Sequence, residues 1–472
     1  MDISKKIPVH IGLFGHIDSG KTAVASSLSE IISTAGIDAH PQSKERGITI
    51  DIGFTSLILD NFLVTLVDGP GHADLIKISA SSVEIIDCAL VVIDINKGPQ
   101  VQTGEHLIMI ESLKIEKIII ALNKTDLFKG NVEDEIRKIR NFFRSTSYGS
   151  NVPIFTVSAK KKQGFEELKE GLLEIIRGLN LKREISGDVI IPIDHYFPIK
   201  GIGVILTGTL LSGQIKLNQK LEILPLKFSG RIKNIQIFHQ NVENAKAGDR
   251  IGINMKGIDI KSIFRGCYAT NNPQAFDYCD LIEINVNNHQ LFKHKTGFGT
   301  QVHVTIGMLT IVGFIYPYYE LGEKKVETIV SNKDQGFKAI IKFNEKVLIR
   351  KKNHIILLSR LDLPPTSLRI IGSAEVVKIH NTPPLFHKYK IKKGVIKNPD
   401  HPQGIICSGL AQSFMGAKKI IGKKLEPPFT RILNTFGTKG EIIVGINKDQ
   451  GVIRKGDPVY LKELRSFYLK NI

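Results

Sequence analysis

Cysteine is scarce and scattered. The four in the chain, Cys88, Cys267, Cys279 and Cys407, lie far apart and form no C-x-x-C pair. That spacing argues against a disulfide framework or a four-cysteine zinc site and fits a reducing, cytoplasmic setting. No run of about 18 apolar residues occurs, so no segment is expected to span a membrane. The start, MDISKKIPVHIGLFGH, has no long apolar core behind its lysines and reads as folded chain rather than a secretory signal. Acidic residues are also in deficit: 46 Asp and Glu face 64 Lys and Arg, a formal charge of +18. Such an excess favours a polyanionic partner, because clustered cations gain affinity for phosphate by releasing counterions.

What is present divides into two patterns. From residue 9 to about 181, short apolar runs (9–14, 62–67, 89–95, 117–122 and 154–157) alternate with segments of helical spacing such as 23–33, 104–113 and 131–144. Bounded apolar runs of that kind suit central parallel strands, and strand–helix alternation means a doubly wound α/β domain. Beyond residue 188, strands recur at short intervals with Gly, Asn and Pro between them, as in β-barrels. Asn271-Asn272-Pro273 and Asn381-Thr382-Pro383-Pro384 are natural boundaries. The expected organisation is 1–182, 183–272, 273–382 and 383–472: one α/β domain with a mostly parallel sheet, then three β-barrel domains.

GHIDSGKT (15–22) follows the first strand and precedes a helical stretch, the context that G-x-x-x-x-G-K-[ST] requires. Its glycines let the backbone curl so that N–H groups point at phosphate oxygens. Gly15, Asp18, Ser19, Gly20, Lys21, Thr22 and Ala23 are expected to hold a nucleotide, with Lys21 at the β/γ-phosphates and the Thr22 hydroxyl on Mg²⁺. In DGPGH (68–72), Asp68 can hold Mg²⁺ through water and the Gly71 N–H can sense the γ-phosphate. In NKTD (123–126), Asp126 can accept guanine N1–H and N2–H, which adenine does not present together, while Asn123 and Lys124 flank the ring. Ser158, Ala159 and Lys160 close the base pocket with backbone N–H groups. Four such elements in this order indicate an α/β P-loop GTPase domain binding GTP and GDP. Thr49, in RGITI (46–50), is the candidate for a ligand that reaches Mg²⁺ only when γ-phosphate is present. His72 is the candidate positioner of the attacking water, and Ile17 and Ile48 could hold it back until a partner moves it. Catalysis, assigned to Lys21, Thr49 and His72, is then positioning and electrostatics.

GHIDSGKT, RGITI, DGPGH with the following ADLIK, and NKTD together resemble the translational GTPases of the elongation factor Tu group. IPIDHYFPIKGIGVILTGTLLSG (191–213) and VENAKAGDRIGINMKGI (242–258) are similar to that group's tRNA-binding barrel, so the likeness spans roughly residues 8–380. Ser19 departs from it, standing where relatives usually carry His. The resemblance implies an aminoacyl pocket at Asp194, His195, Phe197 and Arg250. Relatives that carry all the common amino acids place a neutral amide where Arg250 stands. A guanidinium there, with a histidine beside it, implies an anionic cargo side chain, and selenocysteine fits because its selenol ionises below neutral pH. One charge-assisted hydrogen bond of about 1.5–3 kcal/mol gives roughly ten- to hundredfold discrimination against serine. The alternative for Arg250 is a surface strand residue paired with Asp249 or Asp194. IDIGFTSLIL (50–59), SRLDLPPTSLRIIG (359–372) and the fourth domain also resemble the selenocysteine-specific elongation factors of the archaeal and eukaryotic kind.

From 385 to 472 there are 17 Lys and Arg against 6 Asp and Glu, +11 of the total charge. Lys388, Lys390, Lys392 and Lys393 form one group and Lys418, Lys419, Lys423 and Lys424 another, with Phe386, Tyr389 and Phe414 among them. A chain that carries tRNA is expected to use such a surface on RNA or the ribosome. The implied partners are selenocysteinyl-tRNA, the ribosome, and an mRNA selenocysteine-insertion element reached directly or through an adaptor. The chain is expected to act as a monomer, without a membrane. Two rivals remain: the initiator-tRNA-carrying γ subunit of translation initiation and the GTPase subunit of a sulfate adenylyltransferase.

Overall fold

A computed structural model describes residues 3–32, 52–69, 85–199, 201, 203–351, 355–447 and 453–469. The candidates Thr49, Gly71 and His72, with Ile48, lie outside these residues.

Seven strands form the first sheet: β1 (Ile7–Phe14), β2 (Ile31–Ile32), β3 (Gly53–Leu59), β4 (Phe62–Asp68), β5 (Cys88–Asp94), β6 (Ile118–Asn123) and β7 (Ile154–Thr156). Their order is β2-β3-β4-β1-β5-β6-β7, parallel from β4 to β7, with β2 and β3 antiparallel on one side. β1, β5 and β6 are almost wholly buried on both faces, which is why they read as unbroken apolar runs. Among the described residues, four helices accompany them: α1 (Lys21–Leu28), α2 (Val101–Ser112), α3 (Val132–Phe143) and α4 (Phe165–Arg177). The amphipathic stretch 23–33 is thus a helix that stops early. At Ser29 the backbone turns extended and its hydroxyl donates to the Ala25 carbonyl, after which Ile31 and Ile32 pair with β3. Because β1, β4 and β6 run parallel, their carboxyl ends place residues 15–22, Asp68 and Asn123 along one edge, where α/β sheets bind ligands.

The next strands close on themselves. β8 (Ile190–Ile199) and β9 (Gly203–Thr209) join 250–255, 228–237, 220–224 and 268–270 in one sheet, and pairing of 220–224 with 228–237 completes the barrel. Its core holds Ile191, Ile193, Leu206, Ile223, Ile251 and Ile253. A third set of strands, between Phe276 and Ile379, encloses Ile282, Ile284, Val304, Phe343, Ile356 and Ile371.

The chain divides into two compact units, Met1–Pro317 with Ile329–Asn381, and Tyr318–Thr328 with Thr382–Ile472. Within the second, Leu385–Asn398 pairs antiparallel with Pro458–Tyr468 over eleven residue pairs and parallel with Lys324–Glu327. Its core contains Ile396, Cys407, Ile420, Phe429, Ile432 and Leu461. All four cysteines are buried and none is in a disulfide. Among the described residues, no helix is long and apolar enough to cross a membrane.

Candidate functional site

The loop after β1 has the backbone that its glycines permit. Gly15 and Gly20 adopt φ of 142° and 91°, and Asp18 is left-handed at 60°. A Cβ on Gly15 would lie 2.2 Å from the Val92 carbonyl oxygen, and one on Gly20 2.3 Å from Asn123 Nδ2, so both positions exclude side chains by contact as well as by strain. Lys21 is buried and donates to the carbonyls of Gly15 and His16, both at 3.1 Å. Burial depresses its pKa, with Asp68 and Asp18 opposing. Thr22 Oγ1 donates to Asp68 Oδ2 at 2.7 Å, so the two proposed Mg²⁺ residues are brought together at the ends of α1 and β4.

The residues expected around the base are brought together. Asn123 donates from Nδ2 to the Ser19 carbonyl (3.0 Å) and accepts at Oδ1 from the Ala159 N–H (3.1 Å), tying the phosphate loop to the 158–160 loop. The Ser158 hydroxyl donates to Asp126 Oδ1 at 2.6 Å and lowers that carboxyl's pKa. Lys124, itself left-handed, pairs with Asp94 Oδ2 at 2.9 Å. A loop curled at its two glycines, an adjacent ammonium, a hydroxyl beside a carboxylate and a second carboxylate ordered by Ser158 together fit GTP and a divalent cation. When bound, the cation supplies positive charge against the developing negative charge of phosphoryl transfer.

Two braces of this loop are absent from the motifs. His106 Nδ1 accepts the Gly15 N–H at 3.1 Å, and Gln102 Oε1 accepts the Ile17 N–H at 3.0 Å. Both come from α2, and no motif could reveal them because each contact joins residues far apart in sequence. The same helix meets the strand set between Phe276 and Ile379 through a buried pair, Glu105 with Arg369 (Nε–Oε1 2.8 Å, Nη2–Oε2 3.0 Å), and through Glu111 with His289 (2.8 Å). Burial pushes His106 down to about 3, helped by Lys21 and His16, which keeps its Nδ1 an acceptor.

A second buried histidine, His10, donates from Nε2 to the Gly248 carbonyl (2.7 Å), and burial pushes it down to about 4. Both histidines bind protons more readily unfolded than folded. Their contribution is therefore intact above pH 6.5 and is lost as pH falls from about 6.5 toward 4 and 3. Each costs about 1.4 kcal/mol per pH unit within that window. Denaturant unfolding at pH 7 and pH 4.5 should show a marked acid destabilisation, and His10→Gln should flatten its slope by about one proton. An unchanged slope in that variant would mean that His10 is not buried neutral.

Arg250 opens a strand whose apolar residues alternate. In the strand Arg250–Met255, Ile251, Ile253 and Met255 fill the barrel core, while Arg250 points from the opposite face and is still 5% exposed. That face is covered by the nucleotide domain: the Arg250 guanidinium carbon lies 3.2 Å from the ring centroid of Phe54 in β3. Arg250 is therefore buried rather than a surface residue, and its carboxylate partner is Asp194, not Asp249. Nη1 and Nη2 donate to Asp194 Oδ2 and Oδ1 at 2.6 and 3.0 Å. Asp194 stands at a bulge in β8, and it also accepts from Thr207 Oγ1 (2.8 Å) and His195 Nδ1 (3.0 Å). Burial would raise its pKa, but the Arg250 guanidinium and His195 hold it far below the usual carboxylate range. A carboxylate so held can only accept, so Nδ1 of His195 carries the proton. Arg250 and Phe197 line one pocket with Thr207, Gln236, Phe238 and His239, whereas Asp194 and His195 are not in its lining. Phe54 and Thr207 are the participants that the sequence did not signal.

Three family models and several known proteins match this chain. The family model described as "Elongation factor Tu GTP binding domain" matches residues 6–178, "Elongation factor Tu domain 2" residues 203–270, and "Archaeal selenocysteine-specific elongation factor, domain III" residues 276–380. A selenocysteine-specific elongation factor of Methanocaldococcus jannaschii is 38% identical over 472 residues, covering 97% of this chain and 98% of that protein. One from Mus musculus is 36% identical over 333 residues, 66% of this chain and 56% of that protein. A crystal structure of translation elongation factor SelB from Methanococcus maripaludis, in complex with a GTP analogue, superposes with a TM-score of 0.79. It is 32% identical and covers 98% of this chain and 99% of that one.

Proposed function

This chain belongs to the family of selenocysteine-specific elongation factors, with that family's GTP-hydrolysing domain, and from that premise we propose that it carries selenocysteinyl-tRNA. In the GTP form it binds the charged tRNA, delivers it to a cytoplasmic ribosome paused at a recoded UGA codon, and releases it after hydrolysis. Initiator-tRNA carriage and sulfate adenylylation are not favoured, since the relatives matching nearly the whole chain are selenocysteine factors. The domain division 1–182, 183–272, 273–382 and 383–472 is proposed with it.

The observation that carries the cargo reading is the buried Arg250, a lining residue of the pocket that Phe197 shares, with its guanidinium against Phe54 of the nucleotide domain. Its pairing with Asp194 alters the electrostatics. The pair is neutral as a unit, so the pocket does not attract anions as a lone buried cation would. It presents instead preorganised N–H donors, and these favour a selenolate over a hydroxyl because charge-assisted hydrogen bonds are about twice as strong as neutral ones. Discrimination at the lower end of the ten- to hundredfold range follows. Lys21 is assigned to neutralising charge on the transferred phosphoryl group, Thr49 to the γ-phosphate-dependent contact and His72 to the attacking water. The test is binding of selenocysteinyl-, cysteinyl- and seryl-tRNA in the presence of a GTP analogue. Equal affinities for all three would leave a generic aminoacyl-tRNA carrier.

The last domain is proposed to meet RNA or the ribosome as a monomer's tail, with an mRNA element recognised directly or through an adaptor. Lys388, Lys390, Lys418 and Lys419 are exposed there, and Glu463 gathers Lys392, Lys423 and Arg465. Deleting this domain would also uncover Lys324–Glu327, which pairs with it, so charge reversal is the cleaner probe. Changing those four exposed lysines to Glu should leave GTP and aminoacyl-tRNA binding intact and lower UGA recoding about tenfold or more, with a shallower salt dependence. Recoding at the original level would remove the RNA-contact reading.

A further inference from the structure

Phe54 stands at a junction that no nucleotide motif requires. It is fully buried, with its ring face against the Arg250 guanidinium. The His195 imidazole meets the same ring edge-on, with centroids 5.9 Å apart and planes at 84°. Register fixes the ring: Phe54 pairs with Val67 in β4, and Ile52, Val67, Ile85 and Met308 pack around it. One aromatic side chain of the nucleotide-domain sheet therefore touches two of the four residues assigned to cargo recognition, both on the first barrel.

We propose that Phe54 is a specificity-determining positioning residue, whose ring sets the plane of the Arg250 guanidinium. The inference rests on the cargo reading of the Arg250 pocket given above. Two parallel hydrogen bonds to Asp194 fix the in-plane direction of the guanidinium but resist rotation about the Arg–Asp axis only weakly. Stacking on an aromatic face removes that rotation, because the cation is drawn to the ring quadrupole across its whole plane. The N–H edges not used by Asp194 are then aimed at one place. An aliphatic side chain of similar volume would fill the space and leave that plane free. The cargo preference held by the first barrel thus depends on a residue of the nucleotide domain.

Phe54→Leu and Phe54→Met test this, with the ratio of seryl- to selenocysteinyl-tRNA dissociation constants as the readout and GTP-analogue affinity as the control. Loss of a desolvated cation–π contact predicts a roughly three- to thirtyfold fall in the ratio, with GTP-analogue affinity unchanged. Made in an Asp194→Asn/Arg250→Asn background, the same substitutions should change the ratio no further, because the group they orient is gone. The inference is overturned if both tRNAs weaken in proportion, which marks a packing role, or if the effect is equal in the two backgrounds. It also falls if the ratio holds in Phe54→Leu and Phe54→Met while Asp194→Asn/Arg250→Asn collapses it, an outcome that keeps the pocket reading. A ratio unmoved by Asp194→Asn/Arg250→Asn overturns the pocket reading and this inference with it.

Discussion

Asp126→Asn is expected to convert the guanine site into one that prefers xanthine. The Ser158 hydroxyl occupies one carboxylate oxygen of Asp126 at 2.6 Å and holds the group ionised. It can donate equally well to an amide oxygen, so the local geometry survives the substitution. The amide nitrogen then replaces the oxygen that should accept from guanine N2–H, and two donors face each other. Xanthine carries a carbonyl at that carbon and accepts the new donor. A site built to hydrogen-bond a group rejects the wrong partner by roughly 10⁴-fold when its polar atoms are left unpaired. GTP affinity should fall by about a thousandfold or more, and XTP should displace a labelled analogue where it did not before. Asn123 gives an internal contrast. Its two ends are committed to Ser19 and Ala159, so Asn123→Ala should weaken both nucleotides by disconnecting the loops. Retained GTP affinity in Asp126→Asn, without gain for XTP, would show that Asp126 does not read the base.

How much of this was legible in the chain follows from where each constraint acts. Phosphate and base binding act through the local backbone: Gly15 and Gly20 have no room for a Cβ, Lys21 opens α1, Asp68 and Asn123 end β4 and β6, and Asp126 follows in the next turn, so short motifs carry them. The parallel strands were legible because burial on both faces leaves an apolar run. Helix α1 was overread because Ile31 and Ile32 continue its apolar spacing although Ser29 has already ended it. His106 and Gln102 were invisible for another reason. Each supports the phosphate loop by tertiary contact over more than 80 residues, and a histidine on an apolar helix has no spacing that announces a partner. Arg250 falls between these cases. A cation inside an alternating strand is an anomaly that sequence can show. That Asp194 and Phe54 resolve it depends on a bulge in β8 and on a neighbouring domain.

Arg250→Asn should abolish the preference for selenocysteinyl-tRNA at a cost to the fold, and a companion substitution separates the two effects. With Arg250 removed, Asp194 remains as a buried carboxylate that has lost its bidentate partner, retaining Thr207 and His195. Breaking a buried pair from one side destabilises by about 3–5 kcal/mol, and its pKa must rise toward or above the ordinary carboxylate range. While ionised, that carboxylate also repels a selenolate brought into the pocket. The single variant should therefore lose selenocysteinyl-tRNA affinity well beyond tenfold, hold seryl-tRNA more nearly unchanged, and unfold at lower denaturant. Asp194→Asn combined with Arg250→Asn removes both charges and leaves neutral amides that can bond each other. The second variant should recover much of the lost stability while the cargo preference stays about tenfold or more below that of the unaltered protein. Stability and specificity thus part company between the two variants, which a general unfolding defect could not produce. GTP-analogue binding, read in both, should not move, since neither residue touches the phosphate or base loops. If the double variant regained stability and selenocysteinyl preference together, the guanidinium would be a structural bolt between barrel and nucleotide domain, and some other group would choose the cargo.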